Sequence, residues 1–139
     1  MKDASLNQPQ INNLRKAGLL LFLTGVIIFM GIITAEIFYP PGYSTRNSPI
    51  SGLGGTKPPN SIIVQPSATI FNITMIVAGV MMLSASYFLY RGLKKRIISI
   101  LLFCSGFGLC GLGIFSCIFF TVHYASSVIA FIFFAIFIL

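Results

Sequence analysis

The stretch Ile97–Leu139, IISILLFCSGFGLCGLGIFSCIFFTVHYASSVIAFIFFAIFIL, contains 43 residues and no Lys, Arg, Asp or Glu. His123 is its one side chain able to carry a charge near neutral pH. As a single helix the stretch would measure about 65 Å at 1.5 Å per residue, far beyond a hydrocarbon core of roughly 30 Å. It must fold back on itself at or within a bilayer. The reading that follows is an all-α, polytopic transmembrane helical bundle.

The remaining sequence agrees. Of 139 residues, 56% are hydrophobic and 8% charged, whereas soluble domains carry about 25% charged residues. The net charge of +7 does not point to nucleic acid, because the basic residues sit beside apolar segments, as membrane orientation signals do. There is no Trp, so Tyr39, Tyr43, Tyr87, Tyr90 and Tyr124 are the amphipathic interface anchors.

Four spans are expected, at about 17–38, 68–90, 97–118 and 121–139, joined by a loop at 39–67 and a basic loop at 91–96. Residues 1–16 read as a polar tail. The first apolar run is too long for a signal peptide, and no small-x-small cleavage site follows it. The third turn is poorly marked, because Ser116–Leu139 contains neither Gly nor Pro. From Tyr124 the last span has 16 residues, about 24 Å of helix. Either it starts earlier, near Phe119, or the chain is the N-terminal part of a longer one; the second alternative is preferred.

Lys and Arg near the span ends set orientation. Lys2, Arg15, Lys16, Arg91, Lys94, Lys95 and Arg96 fall on one side, and Arg46 and Lys57 on the other. The expected location is a prokaryotic cytoplasmic membrane, with a cytoplasmic N-terminus and the 39–67 loop outside.

Membrane helices associate through close backbone approach, so small residues at helical spacing mark contact faces. Span three carries Ser99, Gly106, Cys110, Gly113 and Cys117, with Gly108 and Gly111 beside them. Span two has Asn72, Gly79 and Ser86 at intervals of seven. Span one has Gly18 and Gly25, with Thr24, Gly31 and Ala35 alongside. Bundle packing accounts for these rows; a sharper alternative makes span three a face for a homo-oligomer, a membrane partner or lipid. Cys104, Cys110 and Cys117 lie on one helix without the geometry for a disulfide or the spacing for a metal.

In Pro40–Pro66, ten of 27 residues are Gly or Pro. A loop of this length is usually functional or disordered. Tyr43, Ile50, Leu53 and Ile62–Val64 predict a partly ordered cap with a short helix or a strand pair. Ser51–Gly55 is Gly-rich but matches neither a P-loop nor a dinucleotide fingerprint.

Tyr39-Pro-Pro-Gly-Tyr-Ser44, Asn47 and Ile50-Ser-Gly-Leu-Gly54, followed by Phe71-Asn72, the Gly-rich Gly106–Phe115 and His123, resemble in order an integral-membrane family called domain of unknown function 998. The resemblance covers about Leu19–Leu139. It departs from the family pattern at Gly52, where an acidic residue is typical, and at Ser116, where a Pro is typical. The resemblance implies about six spans and no established activity.

The expected topology sets Glu36 and His123 at one membrane level, with Arg46, Asn47 and Asn72 as neighbours. Ionisable groups inside spans are functional candidates by default. The competing reading is interfacial anchoring or an ion pair between Glu36 and Arg46. One His and one Glu are too few for a metal site. No cofactor is expected, and the bilayer is the expected partner. The leading function is a non-enzymatic accessory, structural or lipid-interacting membrane component. The alternative is a transporter or membrane-embedded enzyme with a polar site at Glu36 and His123.

Overall fold

The computed structural model describes residues 7–41, 43–56 and 58–139; Lys2, Asp3, Gly42 and Lys57, used in the charge and motif readings, lie outside them. The helices are α1 (Gln8–Ile37), α2 (Ser67–Leu93), α3 (Arg96–Ile114) and α4 (Phe120–Ile138). A 3-10 turn at Ile50–Gly54 interrupts the connection between α1 and α2. No strand occurs among the described residues. All four helices are long and apolar enough to cross a membrane. Their outer faces carry exposed Phe22, Phe29, Phe107, Phe131 and Ile138, a surface suited to lipid rather than water.

The ends of the helices differ from the sequence expectation in instructive ways. α1 begins at Gln8, inside the expected polar tail, because Asn7 and Gln10 form a reciprocal capping box with two 3.0 Å bonds. A Pro in the first turn favours the same start. At 30 residues, α1 is about 45 Å long. Its first turns run alongside the end of α2, where Leu14 lies against Gly92 and Lys16 sits 5.3 Å from the Phe88 ring centroid.

The basic loop shrinks to Lys94 and Lys95. Lys94 closes α2 in a left-handed conformation (φ 56°), a position that usually favours Gly. Arg91 belongs to α2 and Arg96 to α3. α3 stops at Ile114 instead of 118, where Phe115 turns extended (φ −100°, ψ 95°). α4 starts at Phe120, the earlier of the two starts considered. Its 19 residues give about 28 Å of helix, so the shortness counted from Tyr124 disappears.

The helices pack in chain order, α1 on α2, α2 on α3 and α3 on α4, with the 3-10 turn against α1 and α2. The interior alternates small residues, Ala35, Ala78, Ala85 and Ala130, with larger ones, among them Leu53, Phe71, Met75, Met82, Leu102 and Leu109. The row on α2 meets the row on α3 in antiparallel register. A Cβ on Gly113 would lie 2.5 Å from the Asn72 carbonyl oxygen, and one on Gly106 would lie 3.1 Å from that of Gly79. Seven-residue steps on both helices are the signature of shallow-angle, left-handed packing.

Gly108 and Gly111 serve a different interface. They face Ala130 and Ser126 of α4. Of the stripe considered as a partner face, Gly106, Cys110 and Gly113 meet α2 and the adjoining Gly108 and Gly111 meet α4, while Cys117 lies beyond the end of α3 rather than on it. On α1, Thr24 and Ala35 are buried and Gly31 abuts Thr74, whereas Gly18 and Gly25 have nothing within 4 Å. Among the described residues, neither glycine has a neighbour that an added Cβ would touch.

Helix backbones satisfy themselves in lipid, and the buried hydroxyls follow suit. Thr24, Thr74, Ser86 and Ser99 donate back to carbonyls three or four residues earlier. Ser67 and Ser105 are the exceptions: Ser67 Oγ donates to the Leu53 carbonyl at 3.4 Å, and Ser105 Oγ donates 2.7 Å across to the Ala130 carbonyl, tying α3 to α4 beside Gly108.

Candidate functional site

The end of the bundle opposite Lys94–Lys95 gathers the polar candidates. Glu36 occupies the last turn of α1, where a negative charge opposes the helix dipole. Its carboxylate gains compensating bonds from the loop: Thr45 N donates to Oε1 and Thr45 Oγ1 to Oε2, both at 3.0 Å. The ion pair with Arg46, one alternative considered beside interfacial anchoring, is not present among the described residues. Arg46 is exposed, and its backbone N–H donates to Ser44 Oγ. Asn47 is exposed in the same turn.

Two tyrosines brace the latch. Tyr39 and Tyr43 have ring centroids 4.5 Å apart. Tyr43 OH donates to the Pro49 carbonyl at 2.7 Å. Burial, then the nearby Glu36 charge and Tyr39, push the Tyr43 phenol up to about 12, which keeps it a donor across the physiological range.

The 3-10 turn then drives Leu53 into the interior with no exposed surface. Of the expected cap residues, Ile50, Ile62 and Ile63 remain exposed, whereas Leu53 is buried and Tyr43 packs against the core. Gly54 is needed here for close approach: a Cβ would sit 2.5 Å from Asn72 Oδ1 and 2.7 Å from the Phe71 ring. Asn72 Oδ1 is buried there without a hydrogen-bond partner. Thr56 and Ile62 close the rest of the loop through bonds of 2.8 and 2.9 Å. The Gln65 side chain caps α2 by accepting from Thr69.

His123 is the largest departure from expectation. It is 4% exposed rather than at the rim. Its Nδ1 lies 2.7 Å from the Phe115 carbonyl. A carbonyl only accepts, so Nδ1 carries the proton. The imidazole thereby secures the residue at which α3 ends, from the first turns of α4. Nε2 is buried without a partner.

The structure thus divides the five candidates. Glu36 holds the loop, Asn72 meets the 3-10 turn, His123 fixes the α3–α4 connection, and Arg46 and Asn47 face outward. Thr45 and the Phe115 carbonyl escaped the sequence reading. Neither follows any periodicity, and eight residues of chain, with two prolines, separate Glu36 from Thr45. Of the packing candidates, Ser99, Gly106, Gly113 and Cys117 are buried and Cys110 is half-buried, with its Sγ 3.9 Å from the Ile76 carbonyl. Among the described residues no three His, Cys, Asp or Glu side chains come together as a metal-ligand group.

α1 and α4 barely touch, and the space between them is apolar. One cavity of about 250 Å³ is lined by Leu21, Gly25 and Ile28 of α1 and Phe131, Phe134 and Phe137 of α4. A second, of about 350 Å³, continues towards the 3-10 turn past Ile32, Ser51 and Leu112. Neither Glu36 nor His123 lines either cavity.

A family model described as Protein of unknown function (DUF998) matches residues 23–139, a span that covers the tyrosine-rich latch, the 3-10 turn and His123. The chain belongs to this family. No match was found among curated proteins or solved structures. In this DUF998 protein the loop motif Tyr39–Gly54 has a physical role: it supplies Thr45 to Glu36, Tyr43 to Pro49 and Leu53 to the interior. Gly52 is buried, with Tyr43 3.5 Å from the position of an added Cβ.

Proposed function

We propose that this DUF998 protein is a non-enzymatic component of a prokaryotic cytoplasmic membrane, acting as an accessory, structural or lipid-interacting protein. The carrying observation is that the Glu36 carboxylate and the His123 Nδ1, the two ionisable candidates near the span ends, are engaged by the chain itself. Glu36 binds Thr45 through both oxygens, and His123 binds Phe115. The openings between α1 and α4 are apolar instead. Such surfaces suit hydrocarbon chains or partner helices, not polar substrates. Seven Lys and Arg at one end of the sequence pattern against two at the other favour a cytoplasmic N-terminus and an external loop.

The rival, a transporter or membrane-embedded enzyme using Glu36 and His123, draws support from the unpartnered His123 Nε2 and Asn72 Oδ1. Glu36→Gln separates the two. As a latch, Glu36 loses charge assistance on two bonds, and stability falls by about 1–3 kcal/mol. Thr45→Val should reproduce part of that fall, and the double variant should be less than additive. Detergent-solubilised protein unfolded by heat provides the readout. Unchanged stability in Glu36→Gln would sink the latch and favour a site.

Placement in the bilayer is tested independently. Asn60→Cys should react with a membrane-impermeant maleimide from outside intact cells, and Lys94→Cys only after lysis. The reverse pattern would overturn the orientation.

A further inference from the structure

At the basic end, α2 and α3 part around a groove of about 380 Å³. The register that brings Gly79 against Gly106 continues one heptad further to Ser86 and Ser99, both buried. Their hydroxyls are committed to their own helices, Ser86 to the Leu83 carbonyl at 2.7 Å and Ser99 to the Lys95 carbonyl at 3.2 Å. The floor of the groove therefore offers small side chains without free donors. Ile100 and Phe103 form an apolar wall, and Tyr90 and Arg96 stand where the groove reaches the helix ends.

The charge at this mouth is one-sided. Arg91, Lys94, Lys95 and Arg96 are all exposed, and no ion pair engages them among the described residues. Arg91 is turned onto Tyr87, with its guanidinium 5.8 Å from the ring centroid and Nη1 donating to Tyr87 OH at 3.3 Å. That leaves Arg96 as the cation lining the groove itself. The sequence has two carboxylate side chains: Glu36 lies at the opposite end, and Asp3 falls outside the described residues.

A long apolar slot beneath an unpaired guanidinium and two neighbouring ammoniums matches an amphiphile with the opposite charge. We infer that this groove binds an anionic glycerophospholipid, its phosphate held at Arg96 and one acyl chain lying between α2 and α3 along Ile100 and Phe103. Basic pockets between membrane helices recognise lipid headgroups through this combination of buried hydrocarbon and surface charge. Arginine suits it because its planar fork can donate two parallel bonds to one phosphate. The three other cations raise the local concentration of anionic lipid without lining the slot.

The inference rests on the bilayer placement proposed above, which the maleimide labelling tests by itself. Correct labelling with no lipid preference would remove the groove and leave the membrane reading intact.

The test uses the full chain purified in mild detergent, with native mass spectrometry counting retained phosphatidylglycerol against phosphatidylcholine of identical acyl chains. The wild-type chain should retain phosphatidylglycerol preferentially. Arg96→Gln, at an exposed side chain, should lower that preference about fivefold, the worth of one cation near an anionic surface. Arg46→Gln, at the far end, should leave it unchanged. Ser86→Leu with Ser99→Leu fills the slot and should abolish retention of both lipids; if that variant does not fold, Arg96→Gln and Arg46→Gln still decide the matter. Equal retention of the two lipids by the wild-type chain would overturn the inference. So would equal losses in Arg96→Gln and Arg46→Gln, or thermal stabilisation by inorganic phosphate matching that by phosphatidylglycerol.

Discussion

Gly108→Leu is expected to abolish the folded protein, and Gly108→Ala to destabilise it by about 2 kcal/mol or more. A Cβ on Gly108 would lie 2.5 Å from the Ala130 nitrogen and 2.8 Å from both Ala130 Cα and the Ser126 carbonyl oxygen. These are backbone atoms, so relief requires α4 to move away from α3. Separation would also stretch the Ser105–Ala130 hydrogen bond, now 2.7 Å. Two effects oppose each other in the Ala variant. Losing a glycine inside a helix gains about 0.5–1 kcal/mol, while overpacking costs typically 1–3 kcal/mol even when side chains can adjust. With backbone as the obstacle, the penalty should win.

Gly25→Ala supplies the contrast. Nothing lies within 4 Å of its added Cβ, so the helix-propensity gain should stand alone and the variant should be neutral or slightly more stable. Unfolding midpoints in one detergent, compared across Gly25→Ala, Gly108→Ala and the parent chain, test the pair. Equal midpoints for Gly108→Ala and the parent would refute the close approach of α3 and α4.

His123→Ala should cost about 2–4 kcal/mol, from a cavity and from a Phe115 carbonyl left without its donor. The reason is positional. Phe115 ends α3, and its carbonyl is held at 2.7 Å by an imidazole that is 4% exposed. His123→Asn discriminates between structural and chemical roles, because its amide nitrogen can occupy the place of Nδ1 while Nε2 is deleted. Asn should recover a substantial part of the lost stability. Thermal unfolding with circular dichroism as the readout would show it, and an Asn variant no better than Ala would exclude the Nδ1 bond as the stabilising element. A selective loss of phenotype in a stable Asn variant would instead direct attention to Nε2.

Much of the architecture was legible because apolar run length reports directly on transfer into a bilayer. The 43 charge-free residues from Ile97 required a turn, and α3 and α4 are its two arms. The start of α1 was also legible in principle: Asn7, Pro9 and Gln10 spell a helix N-terminus, although polarity suggested a tail. The end of α3 was not. Nothing in Phe115–Phe119 breaks a helix by composition, and the stop depends on a histidine bond from the next helix. Likewise, Arg46 looked like the natural partner for Glu36 by charge, but the local turn presents Thr45 and leaves Arg46 in the open.

The small residues illustrate the same division. Their spacing marked faces suited to close approach, and Gly79, Gly106 and Gly113 are used in that way. Spacing did not say which face each would meet. Gly108 lies on the same helix as Gly106 yet packs against α4, while an added Cβ on Gly18 or Gly25 would touch nothing among the described residues.

By itself, the sequence determined that the chain is helical and membrane-like, how many helices it has, and where its charge concentrates. Each of these follows from the one-dimensional cost of placing residues in hydrocarbon or closing helical hydrogen bonds, summed along the chain. Tertiary structure alone decided that the glycine stripe is consumed internally, that His123 is a buried strut, that α1 and α4 leave an apolar cleft, and that Arg96 overlooks a groove. Those outcomes depend on the relative rotation of neighbouring helices. In a bundle without a hydrophobic drive between its members, that rotation is set by contacts between backbones, to which hydropathy is blind.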